Sequence, residues 1–327
     1  MDARSRSTIS RREVLCAGLL ASLGTGVFAG RAAGATSAGD AAGGADALGP
    51  LILKPIPSTG ERIPVIGLGT DSFSEADRGA VREEIAKMHQ LGGTVIDTAA
   101  AYGDSEAMIG EALADSGLHG KMFLATKLTN GGDFFYGGGI GGQKSFDRSL
   151  QRLKTDKVDL LQVHNLSGVD ELMPLLRDLK RAGKIRYYGV TTSRVGQHDD
   201  MVAVMRKHPL DFIQVDYSIA NRDAEKQIFP LAIERRVAVL ANLPLIHGRL
   251  MEQASERKLP DFARDIGVAS WGQFLLKYVA SHPAVTCAIP GSTKVAHLID
   301  NQGAGRGTLP DAAMRRRMEA YWSKVTA

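Results

Sequence analysis

Four residues of this sequence could do acid–base chemistry as a set. Asp97, Tyr102, Lys127 and His164 each stand within a few residues of the end of a short apolar run. The runs are Thr94-Val95-Ile96-Asp97, Met122-Phe123-Leu124-Ala125-Thr126-Lys127 and Val158-Asp159-Leu160-Leu161-Gln162-Val163-His164. A tyrosine phenol, with an ordinary pKa of about 10, is a weak proton donor at neutral pH; a neighbouring ammonium stabilises the phenolate and lowers that pKa. Lys127 could do this to Tyr102, Asp97 could pair with Lys127 and hold it in place, and the His164 imidazole could hydrogen-bond a substrate oxygen. Such a set suits proton delivery to a carbonyl oxygen as hydride reaches its carbon. Taken singly, each has an ordinary explanation: a helix N-cap for Asp97, half-buried packing for Tyr102, a surface charge for Lys127, a satisfied core histidine for His164. The set means something only if the fold brings its members together.

The elements that would do so follow from the pattern beyond Leu51. Residues 51–63, turning at Ser58-Thr59-Gly60, read as a β-hairpin, with a strand at Val65-Ile66-Gly67. Helical periodicity over 75–91, 105–115, 143–153, 171–182, 197–207, 223–235, 266–280 and 294–301 then alternates with β-branched runs at 94–97, 122–126, 159–163, 185–190, 212–215, 237–241 and 285–289. Eight strand–helix units are the number that closes a parallel α/β barrel, and in such a barrel the C-terminal strand ends converge on one mouth. A (β/α)8 TIM barrel over residues 51–327, with the hairpin at its N-terminus, is therefore expected. A doubly wound open sheet is the runner-up, but Gly67-Leu68-Gly69-Thr70 lacks the third glycine of a dinucleotide-binding turn. Residues 311–325, with Met314, Met318, Tyr321 and Trp322 near helical spacing, predict a final helix packed outside the barrel.

Composition bounds the rest. The 327 residues carry a formal charge of +4, but residues 1–35 hold five Arg against two acids, so the remainder carries 4 − 3 = +1. Nothing in that balance asks for nucleic acid. Ser10-Arg11-Arg12-Glu13-Val14-Leu15 precedes a Gly-punctuated apolar stretch from Cys16 to Ala29, and Ala33-Gly34-Ala35 suits signal-peptidase cleavage. Residues 1–35 thus read as a twin-arginine signal peptide engaging export machinery, and 36–50, rich in Ala, Gly and Ser, as a flexible linker. A membrane anchor is the alternative, yet the apolar stretch is short of the roughly 20 residues that span a bilayer. The expected location is periplasmic or extracellular, or cytoplasmic if the leader is not used. With Cys16 in the leader, Cys287 is left without a disulfide partner after processing, which fits folding before export.

Two motifs mislead. Gly137-Gly138-Gly139-Ile140-Gly141-Gly142 matches G-x-G-x-x-G literally, and Gly142-Gln143-Lys144-Ser145 resembles the end of a phosphate loop. The glycines lie too far beyond the preceding strand, and Gln143 stands where that loop requires glycine. A barrel loop, with Phe134, Phe135 and Tyr136 able to line a pocket, is the better reading. The eight histidines show no metal-ligand spacing, so no metal site is expected.

Several motifs in order resemble the aldo-keto reductases. Ile66-Gly67-Leu68-Gly69-Thr70 looks like the family's opening segment. Ile96-Asp97-Thr98-Ala99-Ala100-Ala101-Tyr102-Gly103, followed by Ser105-Glu106 and Ile109-Gly110, is similar to its most specific signature, which carries the catalytic aspartate and tyrosine. Lys127 and His164 match the catalytic lysine and histidine, the latter at the end of a segment holding Leu150, Leu153, Asp156 and Asp159 to Leu161. The resemblance implies NADPH, with NADH possible, lying extended across the barrel mouth, and a small carbonyl or alcohol substrate. It places Thr191, Thr192 and Gln214 at the carboxamide, and Leu245 and Gly248 beside the pyrophosphate. Ser292, Lys294, His297 and Asn301 fall at the adenosine phosphate, with Lys294 the candidate for the 2′-phosphate. Asn242 stands where many members stack an aromatic on the nicotinamide, and His297 where many have Arg. A nucleotide-binding accessory or redox-sensing protein of slow turnover is the second reading.

Overall fold

In the computed structural model, residues 49–128 and 141–326 are described. The expected leader, most of the linker, and the stretch containing Phe134 to Ile140 lie outside them.

The hairpin forms first along the chain, β1 (Leu53–Pro55) pairing antiparallel with β2 (Arg62–Pro64). Then β3 (Leu68–Gly69), β4 (Val95–Asp97), β5 (Phe123–Leu128), β6 (Val158–Val163), β7 (Ile185–Thr191), β8 (Phe212–Asp216), β9 (Ala238–Asn242) and β10 (Val285–Ala288) follow. Among the described residues these eight form one parallel sheet in sequence order from β3 to β10. Closure comes from Gly67 N–H donating to Ala288 O at 2.8 Å, Ala288 N–H to Val65 O at 2.9 Å and Gly69 N–H to Pro290 O at 2.9 Å. The first strand is thus short and broken, because its bonds pass to an irregular partner at the seam rather than to a second regular strand.

The crossovers are α1 (Arg78–Gln90), α2 (Ser105–Ser116), α3 (Gly142–Arg152), α4 (Val169–Arg181), α5 (His198–Lys207), α6 (Ile228–Arg235), α7 (Arg249–Ala254), α8 (Trp271–Ser281) and α9 (Val295–Gly303). The helical readings over 75–91 and 223–235 each open instead on a 3-10 turn, at Glu75–Asp77 and Asp223–Glu225. The reading over 266–280 is replaced by a 3-10 segment, Asp261–Ile266, and then α8, whose N-cap Ser270 accepts the Gln273 N–H. Helix α7 was not evident in the sequence: six residues are too few to show a period. The last helix, α10 (Ala312–Val325), is capped by Asp311 and buries Met318 and Trp322.

Strand alternation sorts the core into two parts. Val95, Phe123, Ala125, Leu160, Tyr187, Phe212, Leu240 and Cys287 fill the barrel, plugged from below by Ile56 and Ile63 of the hairpin. Their strand neighbours, such as Ile96, Leu124, Leu161, Val190 and Ile213, face the helices in a separate cluster. Gly189 is required inside: a Cβ there would lie 2.2 Å from the Phe212 carbonyl oxygen. The same phase that sends Val95 and Ala125 inward sends Asp97 and Lys127 inward two residues later, at the mouth.

Candidate active site

Lys127, at 0 % exposure, donates to Asp97 Oδ2 at 2.6 Å and to the Thr98 carbonyl at 2.8 Å. Asp97 Oδ1 accepts from Gln214 Nε2 at 2.9 Å and from Gln162 Nε2 at 3.4 Å. Strands β5, β6 and β8 therefore surround the carboxylate with donors across the barrel mouth, which is what a buried charge needs. Its backbone is also fixed: Thr70 Oγ1 donates to Asp97 O at 3.0 Å and receives a bond from Ser105 Oγ at 2.8 Å.

Tyr102 sits in the turn after β4, where its N–H bonds to Ala99 O and its carbonyl takes the Ser105 N–H, both at 3.0 Å. The Lys127 ammonium lies 4.8 Å from the Tyr102 ring centre. Across the mouth, the His164 ring meets the Tyr102 ring edge-on, 5.7 Å between centres and 79° between planes. Directly after His164, Asn165 and Leu166 adopt left-handed backbone at φ 53° and 57°. That conformation is strained for a leucine by about 1–2 kcal/mol; the Asn165 N–H, donating to Thr191 Oγ1 at 3.1 Å, helps to fix it.

Burial governs the protonation of the set. It is the largest influence on Tyr102 and raises its pKa above the ordinary phenol value; Lys127 opposes, while Asp97 and Asp71 add to the rise. The expectation of a lowered phenol pKa is therefore corrected: the ammonium acts in the expected direction, but desolvation is larger. The phenol is held protonated, and the ammonium is placed to stabilise the phenolate as it forms. For Lys127, burial is the largest single influence and lowers the pKa, yet Asp97 and Tyr102 together outweigh it and the lysine remains an ammonium. Burial likewise raises Asp97, with Lys127 and Gln214 opposing. His164 is pushed down to about 3 by burial and then by Lys127, so it is a neutral imidazole at physiological pH.

This last shift has a measurable consequence. Because the folded pKa of His164 lies below the ordinary value of 6.5, the unfolded chain binds the proton more readily. The stability that follows from its neutrality is present above pH 6.5 and is lost as pH falls from there toward 3. In chemical denaturation between pH 7 and 4, H164N should lose stability less steeply than the wild type, by up to a few kcal/mol. Parallel curves would show that His164 is not buried neutral.

A cleft of about 880 Å³ opens above these groups. Asp97, Tyr102, His164, Gln214 and Asn242 line it, and so do Ser292, Thr293, His297 and Asn301. Leu243 to Leu245, His247 and Gly248 also line it, and the His247 and Asp71 side chains approach to 3.7 Å. Among the described residues no three or more His, Cys, Asp or Glu side chains are grouped to hold a metal.

Residues 65–321 match the Aldo/keto reductase family. The chain belongs to that family. It is 30% identical over 270 residues to methylglyoxal reductase YeaE of Escherichia coli, covering 79% of this chain and 91% of that protein. Aldo-keto reductase YhdN of Bacillus subtilis is 33% identical over 215 residues, covering 62% and 64%. The crystal structure of an aldo/keto reductase from Klebsiella pneumoniae in complex with NADP and acetate superposes with a TM-score of 0.68 at 26% identity, over 80% of this chain and 93% of that one. The eight-stranded barrel is thus the architecture of solved aldo/keto reductases.

Within this aldo/keto reductase, the cleft is lined by several of the candidate cofactor residues: Gln214, Asn242, Leu245, Gly248, Ser292, His297 and Asn301. Thr191 and Thr192 do not line it. Both are buried, Thr191 Oγ1 accepting from Asn165 N–H and Thr192 Oγ1 donating to Gln197 Oε1 at 2.7 Å. Asn242 turns its Nδ2 to the Thr192 carbonyl at 3.0 Å. Lys294 is exposed at the N-cap of α9 and also lies off the lining. Gln162 and Asn165 carry no motif of their own in the sequence, although Gln162 is two residues before His164 and so shares its inward phase. The donor set fits a nicotinamide dinucleotide: amides at the proton-transfer end, and a helix start at the other, where backbone N–H groups favour phosphate.

Proposed function

We propose that this aldo/keto reductase uses NADPH to reduce a small aldehyde or ketone to an alcohol, or runs the reverse reaction, with Tyr102 as proton donor. The observation that carries the reading is the convergence of a protonated Tyr102, the Lys127–Asp97 pair and neutral His164 at one cleft. When bound, the nicotinamide supplies the hydride. Gln214 and Asn242 would face its amide end, Leu245 and Gly248 its pyrophosphate, and Ser292, Lys294, His297 and Asn301 its adenosine phosphate. Thr191 and Thr192 would support this seat through the loops they brace.

The residues of the chain then divide the work. Tyr102 and His164 present a phenol O–H and an imidazole to the substrate oxygen. Tyr102 gives up its proton as negative charge grows there, and the Lys127 ammonium stabilises the phenolate left behind. Asp97, fixed by Gln214 and Gln162, keeps Lys127 aimed. The twin-arginine pattern read in residues 1–35 supports export of the folded protein, with the reaction then taking place outside the cytoplasmic membrane.

The test is a carbonyl panel on the purified protein with NADPH and NADH, beginning with methylglyoxal because a relative is named for it. Carbonyl-dependent oxidation of NADPH is expected. Tight binding of nucleotide that no carbonyl oxidises would instead favour the accessory, slow-turnover reading, for which Asn242 in place of a stacking aromatic is the motivating feature.

A further inference from the structure

Beneath the adenosine end of the cleft lies a carboxyl group that the proposed chemistry does not use. Glu84, on α1, is at 0 % exposure and faces the segment that leads into α9. Its Oε1 is 2.6 Å from Ser292 Oγ, the donor in that bond, and its Oε2 has no hydrogen-bond partner among the described residues. Burial is the largest influence on this carboxyl and raises its pKa, with Asp77 adding to the rise; Ser292 and the Lys294 backbone N–H oppose. That N–H also points at Ser292 Oγ, at 3.2 Å, and Ser292 Oγ reaches Lys294 O at 3.0 Å. Ser292 lines the cleft, so a hydroxyl at the surface of the site is committed inward to an acid below it.

The helix start would otherwise be well suited to an anion. Helix α9 runs for nine residues from Val295, and Lys294 and His297 are exposed at its first turn. A single helix N-terminus offers roughly half a unit of positive charge. A carboxyl group facing that end uses part of this field when it is ionised, and it then repels a second anion placed above it.

We propose that Glu84 sets the discrimination between cofactors with and without a phosphate on the adenosine ribose, by engaging Ser292 from below and placing negative charge behind the phosphate seat. This rests on the reading that the adenosine phosphate lies over Ser292 to Asn301. Glu84 is a positioning and specificity residue: it touches neither the substrate nor the reacting atoms. With its charge removed, the negative potential behind the helix start is lost, even where a glutamine oxygen still accepts from Ser292. The 2′-phosphate gains, while a cofactor lacking that phosphate is held as before.

Equilibrium binding separates the possibilities without recourse to turnover. Dissociation constants for NADPH and for NADH would be measured by calorimetry on the full chain, for the wild type and for E84Q. The E84Q variant should bind NADPH about five- to tenfold more tightly, with NADH changed by less than about twofold. E84M, of similar volume and also uncharged, gives the same comparison should E84Q fail to fold. An unchanged ratio of the two constants, or a shift toward NADH, overturns the role of Glu84 while leaving the site reading intact. A wild-type chain that binds neither nucleotide overturns the site reading itself, and the proposal with it.

Discussion

Tyr102→Phe is expected to lower kcat for carbonyl reduction by about 10²- to 10⁴-fold, the range in which positioned general acids contribute, with NADPH affinity changed by less than about twofold. The variant keeps the ring, its edge contact with His164 and its packing beneath the cleft, and removes only the hydroxyl. Among the described residues no neighbour can take over the donation efficiently. His164, its pKa pushed down to about 3, is a neutral imidazole, whose N–H is a far weaker acid than its cationic form. Lys127 is an ammonium, but it is fully buried and already donates to Asp97 and to the Thr98 carbonyl. Steady-state kinetics combined with a binding titration decide the matter. Turnover equal to that of the wild type would remove Tyr102 from the mechanism and make the conjunction of phenol and ammonium a structural feature.

Much of this arrangement was legible in the sequence because it depends on short-range periodicity. A strand's period of two puts Val95 and Asp97 on one side and Ile96 on the other, and the same count links Ala125 to Lys127 and Gln162 to His164. Once eight such strands close, the inward residues at the strand ends must meet. What was not legible depends on contacts between distant parts of the chain. Glu84 and Ser292 are 208 residues apart, and nothing near either announces the other. Thr191 and Thr192 occupy positions suggesting cofactor contact, but Asn165 and Gln197, brought in by loop geometry, engage their hydroxyls. The direction of the phenol pKa is hidden from the sequence for a similar reason. The presence of a lysine nearby could be read from the motif, whereas the degree of desolvation is set by the closed barrel and by the turn that tucks Tyr102 over Lys127.

The pairing of Lys127 with Asp97 yields the other large effect, because it separates stability from catalysis. Lys127→Met removes the ammonium and leaves a carboxylate at 2 % exposure whose side-chain donors, among the described residues, are the Gln214 and Gln162 amides. Orphaning one member of a buried ion pair destabilises a protein by about 3–5 kcal/mol. Asp97, whose pKa burial already raises, would respond by binding a proton in the folded state. The K127M variant should therefore be less stable than wild type at pH 7 and recover part of the loss at lower pH, where the unfolded chain also begins to protonate its carboxylates. Adding Asp97→Asn removes the stranded charge, and K127M/D97N is expected to regain most of the lost stability in urea denaturation. Activity should not follow. Without the ammonium the Tyr102 phenolate loses the charge that stabilises it, so the single and the double variant should both lose about 10²-fold or more in kcat. Recovery of kcat together with stability in the double variant would mean that Lys127 acts only by neutralising Asp97. Stability restored with turnover still lost would place Lys127 beside Tyr102 in the proton transfer itself.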